Sequence, residues 1–116
     1  MSAHLSIQDS VSTLPASNGD RDYEQEFDAP GLTGGPRPYL LYKANPASGR
    51  SVQLQMQLNG VTIVNQSLDT DVSRSFHEIF DEGVLRAQDN TLRVLVPNSD
   101  PGSVEVSDLV LVYATA

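Results

Sequence analysis

The chain of 116 residues has the size of one domain, and its composition excludes several classes of function. Fifteen acidic and seven basic residues give a net charge of -8, which repels a polyphosphate backbone and excludes nucleic acids and anionic membranes as partners. Because the chain contains no cysteine, disulfides, thiolate zinc sites and a cysteine nucleophile are excluded as well.

The first 22 residues are expected to form an N-terminal arm, or a short strand followed by a loop, ahead of a sandwich domain at residues 23–116. Leu5 and Ile7 predict the short strand, whereas residues 9–22 are rich in Ser, Asn, Asp and Gly and predict a loop. The chain begins without a signal peptide pattern, and no apolar run is long enough to span a membrane. We therefore expect a cytoplasmic protein by default.

A compact apolar and aromatic run at residues 38–44 predicts a buried strand. Tyr39 and Leu41 are predicted to share one face of this strand, and Leu40 and Tyr42 the other. The segments before it, residues 23–37, give an ambiguous stretch and then a loop marked by Gly and Pro.

The clearest pattern lies at residues 51–58, where apolar residues alternate with Gln53, Gln55 and Gln57. This alternation predicts a half-buried strand with one glutamine face. That face is interpreted as an ordinary solvent-facing side, or as a flat surface that binds a sugar or another subunit. Asn59-Gly60 follows directly and predicts a type I′ hairpin turn, since both residues accept positive φ, with the partner strand at residues 61–64.

Residues 73–79 predict another strand, with Phe76 and Ile79 as inward residues. The following stretch, residues 80–89, predicts a loop or a single helical turn. No helical periodicity appears anywhere in the chain.

Two more strands are predicted at residues 92–96 and 104–113, and the second is apolar on both faces, which favours a central position. Short strands separated by turns every 8 to 12 residues or so are typical of a sandwich. The sequence therefore predicts an all-β antiparallel β-sandwich of about seven or eight strands.

The order of features from residue 52 to residue 113 resembles the galactose-binding-domain-like β-sandwich, a jelly roll found in carbohydrate-binding modules. The features that carry the resemblance are Leu58-Asn59-Gly60-Val61, Phe76, Leu85, the strand start Asn90-Thr91-Leu92 and the final apolar run. The resemblance implies a jelly-roll fold and the binding of a glycan without catalysis.

Residues that catalysis would need are not arranged in any recognisable motif. His4 and His77 are far apart, and neither belongs to a Ser-His-Asp or His-Glu-x-x-His pattern. A glycosidase needs a pair of carboxyl groups, and Asp81 and Glu82 are such a pair. Acidic neighbours of this kind are common in solvated loops, so we interpret them as a solvated acidic loop. We therefore expect a protein that is not an enzyme.

Aromatic rings and polar neighbours suggest where a sugar would bind, because sugars stack their C–H faces on rings while amides and guanidinium groups bind the hydroxyls. The candidate ligand-binding residues are Tyr39, Tyr42, Asn45 and Arg50. The alternative for each tyrosine is a core residue with its hydroxyl at the rim.

Calcium is the candidate cofactor, because it binds oxygen atoms clustered in loops. Asn18, Asp20 and Asp22 lie at alternate positions, as in a calcium loop, and are the candidate metal ligands, with solvated loop acids as the alternative. Further candidates are Asp69, Asp71, Asp100 and Asp108.

Two functions from different classes remain open. One is a non-catalytic carbohydrate-binding, lectin-like module whose partner is a glycan. The other is a structural or assembly protein that forms a homo-oligomer, or that docks onto another protein in a larger complex. Either function is compatible with self-association, because repeated sites raise avidity.

Overall fold

The computed structural model describes residues 1–34, 36–47, 50–69 and 74–115, without the side chains of Arg74 and Glu82. In this part of the chain nine strands form two antiparallel sheets. The elements are β1 (Ser2–Gln8), β2 (Ser12–Leu14), β3 (Asp22–Phe27), β4 (Tyr39–Pro46), β5 (Val52–Leu58), β6 (Val61–Leu68), β7 (Arg74–Ile79), a 3-10 turn (Glu82–Val84), β8 (Asn90–Leu95) and β9 (Val104–Ala114).

The first sheet, sheet A, has the strand order β1-β9-β4-β7, and β2 also pairs with β9. The second sheet, sheet B, has the order β3-β8-β5-β6. The predicted all-β antiparallel sandwich is therefore confirmed, with nine described strands instead of seven or eight. β9 lies centrally in sheet A, as its apolar run predicts. None of the described residues forms a helix long and apolar enough to cross a membrane.

The core lies between the sheets and is filled by the apolar residues of each alternating strand. In β5 the buried residues are Val52, Leu54, Met56 and Leu58, while the glutamines between them are only half-buried. Burying a side chain of this size contributes about 1.5–3 kcal/mol, so the alternation fixes which face of β5 points inward.

The hairpin between β5 and β6 has the predicted turn, with φ of 51° at Asn59 and 84° at Gly60. β6 continues to Leu68, beyond the predicted end at Val64, because Leu68 is buried again on the same face. The stretch predicted as a loop or single helical turn contains the 3-10 turn at Glu82–Val84.

Two expectations from the sequence are wrong. Ser12–Leu14 was expected to lie in a loop, but it forms β2 because Leu14 is buried in the core and Thr13 pairs with Glu105 of β9. Ile79 was expected to point inward, but its side chain is 60% exposed on the outer face of sheet A. The first 22 residues thus contribute β1 and β2 to sheet A.

Two of the motifs that suggested a jelly roll each contain an asparagine, and the side chains of these residues, Asn59 and Asn90, contact each other. Asn59 Nδ2 donates to Asn90 Oδ1 at 2.9 Å, and the Thr91 N–H donates to Asn59 Oδ1 at 2.9 Å. Asn90, with 0% exposure, also accepts from the Arg86 N–H at 2.9 Å and donates to the Arg86 carbonyl at 2.7 Å. This network ties the β5–β6 turn to the start of β8, so both motifs serve the fold.

Candidate functional site

The two tyrosines of β4 point to opposite faces, as the alternation predicts. Tyr42 is 2% exposed, and its ring stacks on Phe76 with centroids 5.1 Å apart and an interplanar angle of 17°. Burial, followed by the charge of Glu78, raises the pKa of its hydroxyl. A sugar cannot reach this ring, so the structure places Tyr42 in the core, the alternative interpretation of its sequence.

Tyr39 lies on the outer face of sheet A, where neighbouring strands place several side chains in rows. It pairs with Val112 of β9 on one side and with Ile79 of β7 on the other, and Val112 pairs with His4 of β1. In the next row Leu41 pairs with His77. Side chains directly opposite each other lie about 5 Å apart, so each row forms a continuous surface.

A depression of 420 Å³ lies where Tyr39 meets the ends of β1 and β9. It combines the half-buried tyrosine ring with the guanidinium group of Arg37 and with the apolar side chain of Val112. The remaining described lining residues are Met1, Ser2, Thr33, Pro36, Tyr113, Ala114 and Thr115. Its volume is in the range of about 300–1,000 Å³ that small-ligand sites have.

The other predicted ligand-binding residues do not lie in this depression. Asn45 is at the far end of β4, where it lines a smaller depression of 180 Å³ together with Lys43 and Glu105. Arg50 is exposed just before β5. Of the four predicted residues, the structure therefore brings only Tyr39 to the depression.

Arg37, the residue most suited to bind a polar group beside Tyr39, was missed by the sequence analysis. It lies in the stretch predicted as a loop, yet it is two positions before Tyr39. Residues two apart share a face when the backbone is extended. That spacing was the signal that could have identified it.

The candidate calcium ligands are engaged with other partners. Asn18 Nδ2 donates to Asp20 Oδ2 at 3.0 Å, and Asn18 Oδ1 accepts the Asp20 N–H at 3.0 Å. Asp22 Oδ2 forms an ion pair with Arg93 Nε at 2.7 Å. The positive charge of Arg93, which is paired with Asp22, repels a divalent cation at that carboxylate. Asn18, Asp20 and Asp22 therefore do not fit a calcium site in this structure.

The further acidic candidates do not assemble a metal site in the described part of the chain, where no group of three or more His, Cys, Asp or Glu residues comes together. Asp100 accepts the backbone N–H groups of Gln53 at 2.7 Å and Gly102 at 2.8 Å, which fixes the turn before β9. Asp71 lies outside the described residues.

The glutamine face lies on the outside of sheet B, across the core from Tyr39. Gln53 donates to Asn65 of β6 and accepts from the hydroxyl of Ser67 at 2.6 Å, and Gln55 donates weakly to Asn65 at 3.5 Å. These amides therefore bind neighbours within the sheet.

A second depression, of 310 Å³, lies between the ends of β3 and β8. Glu26, Asp28 and Asp89 line it, and Asp28 Oδ1 accepts the Asp89 N–H at 2.9 Å. Its described lining holds no cationic side chain, so the combination of a ring and a guanidinium is found at Tyr39 and not here.

No family model matches the chain, and no curated protein matches it in sequence. Its fold, in contrast, is similar to solved structures. The CBM36-1 domain of a multidomain xylanase from the hindgut metagenome of Trinervitermes trinervoides has a TM-score of 0.61 at 5% identity, covering 100% of this chain and 99% of that domain.

Two other solved structures show the same similarity. A carbohydrate-binding module CBM36 in complex with calcium and xylotriose has a TM-score of 0.56 at 7% identity, covering 93% of this chain and 97% of that one. Dimeric latent PorU from Porphyromonas gingivalis has a TM-score of 0.67 at 9% identity, covering 96% of this chain and 12% of that one. Identities this low show the fold alone, and they confirm the jelly-roll sandwich.

Proposed function

We propose that this chain is a non-catalytic carbohydrate-binding module that binds a glycan in the depression at Tyr39. The observation that supports the proposal is the meeting of a tyrosine ring, a guanidinium group and hydroxyl-bearing side chains in one depression of 420 Å³. A ring of this kind stacks on the apolar face of a sugar, while Arg37 and the threonine and serine hydroxyls bind its oxygen atoms.

The similarity to carbohydrate-binding modules supports the same proposal. One of them spans almost the same length as this chain, and another is a complex with xylotriose. Xylo-oligosaccharides are therefore the first ligands to test. The calcium in that complex has no counterpart in the proposed site, because the described lining of the depression contains neither a carboxylate nor an amide side chain.

The proposed module binds without catalysing a reaction. General acid–base chemistry needs a titratable group within hydrogen-bond reach of the reacting atoms. The described lining contains no carboxylate and no imidazole.

Titration calorimetry with xylotriose and longer xylo-oligosaccharides tests the proposal. Tyr39→Ala is expected to weaken binding by at least about tenfold, or about 1.4 kcal/mol, whereas Tyr39→Phe keeps the stacking ring and most of the affinity. Gln55→Ala, on the outer face of sheet B, is the matched control and is expected to bind like the parent. Titrations with and without calcium are expected to agree.

Equal affinities for the parent and Tyr39→Ala would move the site elsewhere on the sandwich. A panel of xylo-oligosaccharides, β-glucans and galactans that gives no binding at millimolar concentration would overturn the proposed function itself.

We propose self-association as a second candidate function, because the outer face of sheet A exposes two large apolar side chains. Leu41 is 37% exposed and lies in the row next to Tyr39, and Ile79 is 60% exposed and pairs directly with Tyr39. A second copy of the chain is the proposed occupant. Light scattering over a range of protein concentrations is expected to show a mass above the monomer that Ile79→Lys reduces, and a strict monomer at all concentrations would refute it.

A further inference from the structure

We infer that the ligand of the Tyr39 depression is an acidic glycan, one whose sugar residues carry carboxylate groups. The inference rests on the proposed function, and it names the substrate class of that same site. Its basis is the charge of the depression, whose described lining carries the guanidinium of Arg37 and no carboxylate in a chain with a net charge of -8.

The chain carries a net charge of -8, yet the two rows of side chains centred on Tyr39 and Leu41 contain no carboxylate among the described residues. Their titratable groups besides Tyr39 are the exposed imidazoles of His4 and His77. Lys43, also exposed, follows on the same outward face of β4. These two rows can therefore border a bound anion without a carboxylate among their own described side chains.

Arg37 is the group that would bind the carboxylate. It lines the depression with Tyr39, its side chain is exposed, and its guanidinium has no ion-pair or hydrogen-bond partner in the described part of the chain. Arg93, in contrast, is paired with Asp22. A planar guanidinium binds a carboxylate through two parallel, charge-assisted N–H···O bonds, which are stronger than its bonds to neutral sugar hydroxyls.

The described acids of sheet A and its adjoining loop do not line the depression. Asp108 is exposed on β9, and Asp81 follows Phe80, whose N–H donates to the Pro38 carbonyl at 3.1 Å, but neither forms an ion pair with Arg37. Glu105 also faces outward on sheet A, but it lines the separate 180 Å³ depression with Asn45, at the opposite end of β4 from Arg37. Repulsion by the net negative charge is screened beyond about 8 Å at physiological ionic strength. The local contacts with Arg37 therefore decide the preference.

The test compares three probes that share one backbone. They are xylotriose, xylotriose branched with one glucuronic acid, and the methyl ester of that branched sugar, which keeps the shape and removes the charge. Calorimetry on the full chain is expected to show that the acid binds about tenfold more tightly than its ester, the range of a charge-assisted hydrogen-bonded pair.

Arg37→Gln is expected to remove this advantage, so that acid and ester bind within about twofold of each other. Arg86→Gln removes another exposed cation, which does not line the depression, and is expected to keep the advantage of the acid. Raising the salt concentration is expected to narrow the gap between acid and ester.

The results that would overturn the inference differ from those that would overturn the proposed function. If the ester binds as tightly as the acid, the acidic-glycan inference is wrong while glycan binding stands. If the acid keeps its advantage in Arg37→Gln, the assignment of the carboxylate to Arg37 is wrong. If none of the three sugars binds, and the wider glycan panel also fails, both the inference and the proposed function fall.

Discussion

Replacing Asn90 by Asp keeps the shape of a fully buried side chain and exchanges one hydrogen-bond donor for a titratable oxygen. Asn90 Oδ1 accepts from Asn59 Nδ2 and from the Arg86 N–H, and both bonds survive in the variant. Asn90 Nδ2 donates to the Arg86 carbonyl at 2.7 Å, and an aspartate can replace this donor only when it is protonated. Folding therefore favours the protonated acid.

The loss of folding stability in Asn90→Asp follows from this preference for the protonated acid. With 0% exposure, the new carboxyl has a pKa in the folded state raised above its unfolded value of about 3.9. A raised pKa leaves stability intact below the unfolded value and removes it as pH rises, by about 1.4 kcal/mol per pH unit until the folded pKa is reached. Between pH of about 5 and about 8 we expect Asn90→Asp to lose roughly 2–3 kcal/mol relative to the parent.

Urea unfolding followed by circular dichroism at both pH values measures this difference. Asn90→Ala is the control, because it deletes all three hydrogen bonds without adding a titratable group; it is expected to lose about 3–4 kcal/mol at either pH. Either loss is a large part of the roughly 5–15 kcal/mol that holds a domain together. A deficit of Asn90→Asp that is the same at both pH values would refute the reasoning.

Three further predictions concern stability. Tyr23→Phe is expected to lose about 1 kcal/mol, because the Tyr23 hydroxyl donates to Gln8 at 2.8 Å, whereas Tyr42→Phe should leave urea midpoints unchanged or higher, because its buried hydroxyl has no described partner. Burial raises the pKa of Tyr23 from 10.0 to about 12, so the stability of the parent should fall as pH rises through that window. Urea unfolding across the window should show a smaller fall in stability for Tyr23→Phe, which lacks the ionisable hydroxyl. Gly102→Ala places a Cβ 2.6 Å from a backbone oxygen and should cost about 1–3 kcal/mol in thermal melts, whereas Gly34→Ala meets nothing within 4 Å and should be neutral; equal melts would contradict this.

The features predicted correctly are those that local chemistry determines. The turn at Asn59-Gly60 follows from two residues that accept positive φ, and the inward face of β5 follows from strict alternation. The central place of β9 follows from its apolar residues on both faces.

The features that were missed depend on contacts between distant parts of the chain. β2 forms because β9 offers an edge beside Leu14, and one buried leucine in a polar stretch has no periodicity to reveal it. The alternation put Tyr39 and Tyr42 on opposite faces, but only the position of sheet B decides which one is buried. The acids at positions 20 and 22 resembled a calcium loop. The residue that pairs with Asp22 is Arg93, 71 positions further along the chain, and no local pattern predicts this ion pair.

The depression at Tyr39 shows the same dependence. Its lining joins Ser2, Arg37 and Val112, which meet only because β9 lies between β1 and β4. Arg37 was open to prediction from its spacing to Tyr39, whereas the contribution of the β1 and β9 ends required the strand order. The chemical role of a single residue such as Arg37 could therefore be predicted from the sequence. The meeting of the strand ends that form the depression could not.

The pairing of β1 with β9 gives the molecule an uneven response to mechanical load. The Met1 amino group donates to the Thr115 carbonyl at 3.2 Å, and Ser2 pairs with Ala114, so a pull applied through residues 1 and 115 acts on one end of an antiparallel ladder. Such a pull breaks the hydrogen bonds one pair at a time and peels the edge strand β1 away, whereas a load along the strands would have to break them together. Because Ser2 and Thr115 line the depression, tension would open it before the core unfolds, and single-molecule pulling in the presence of the glycan would show release at a lower force than unfolding.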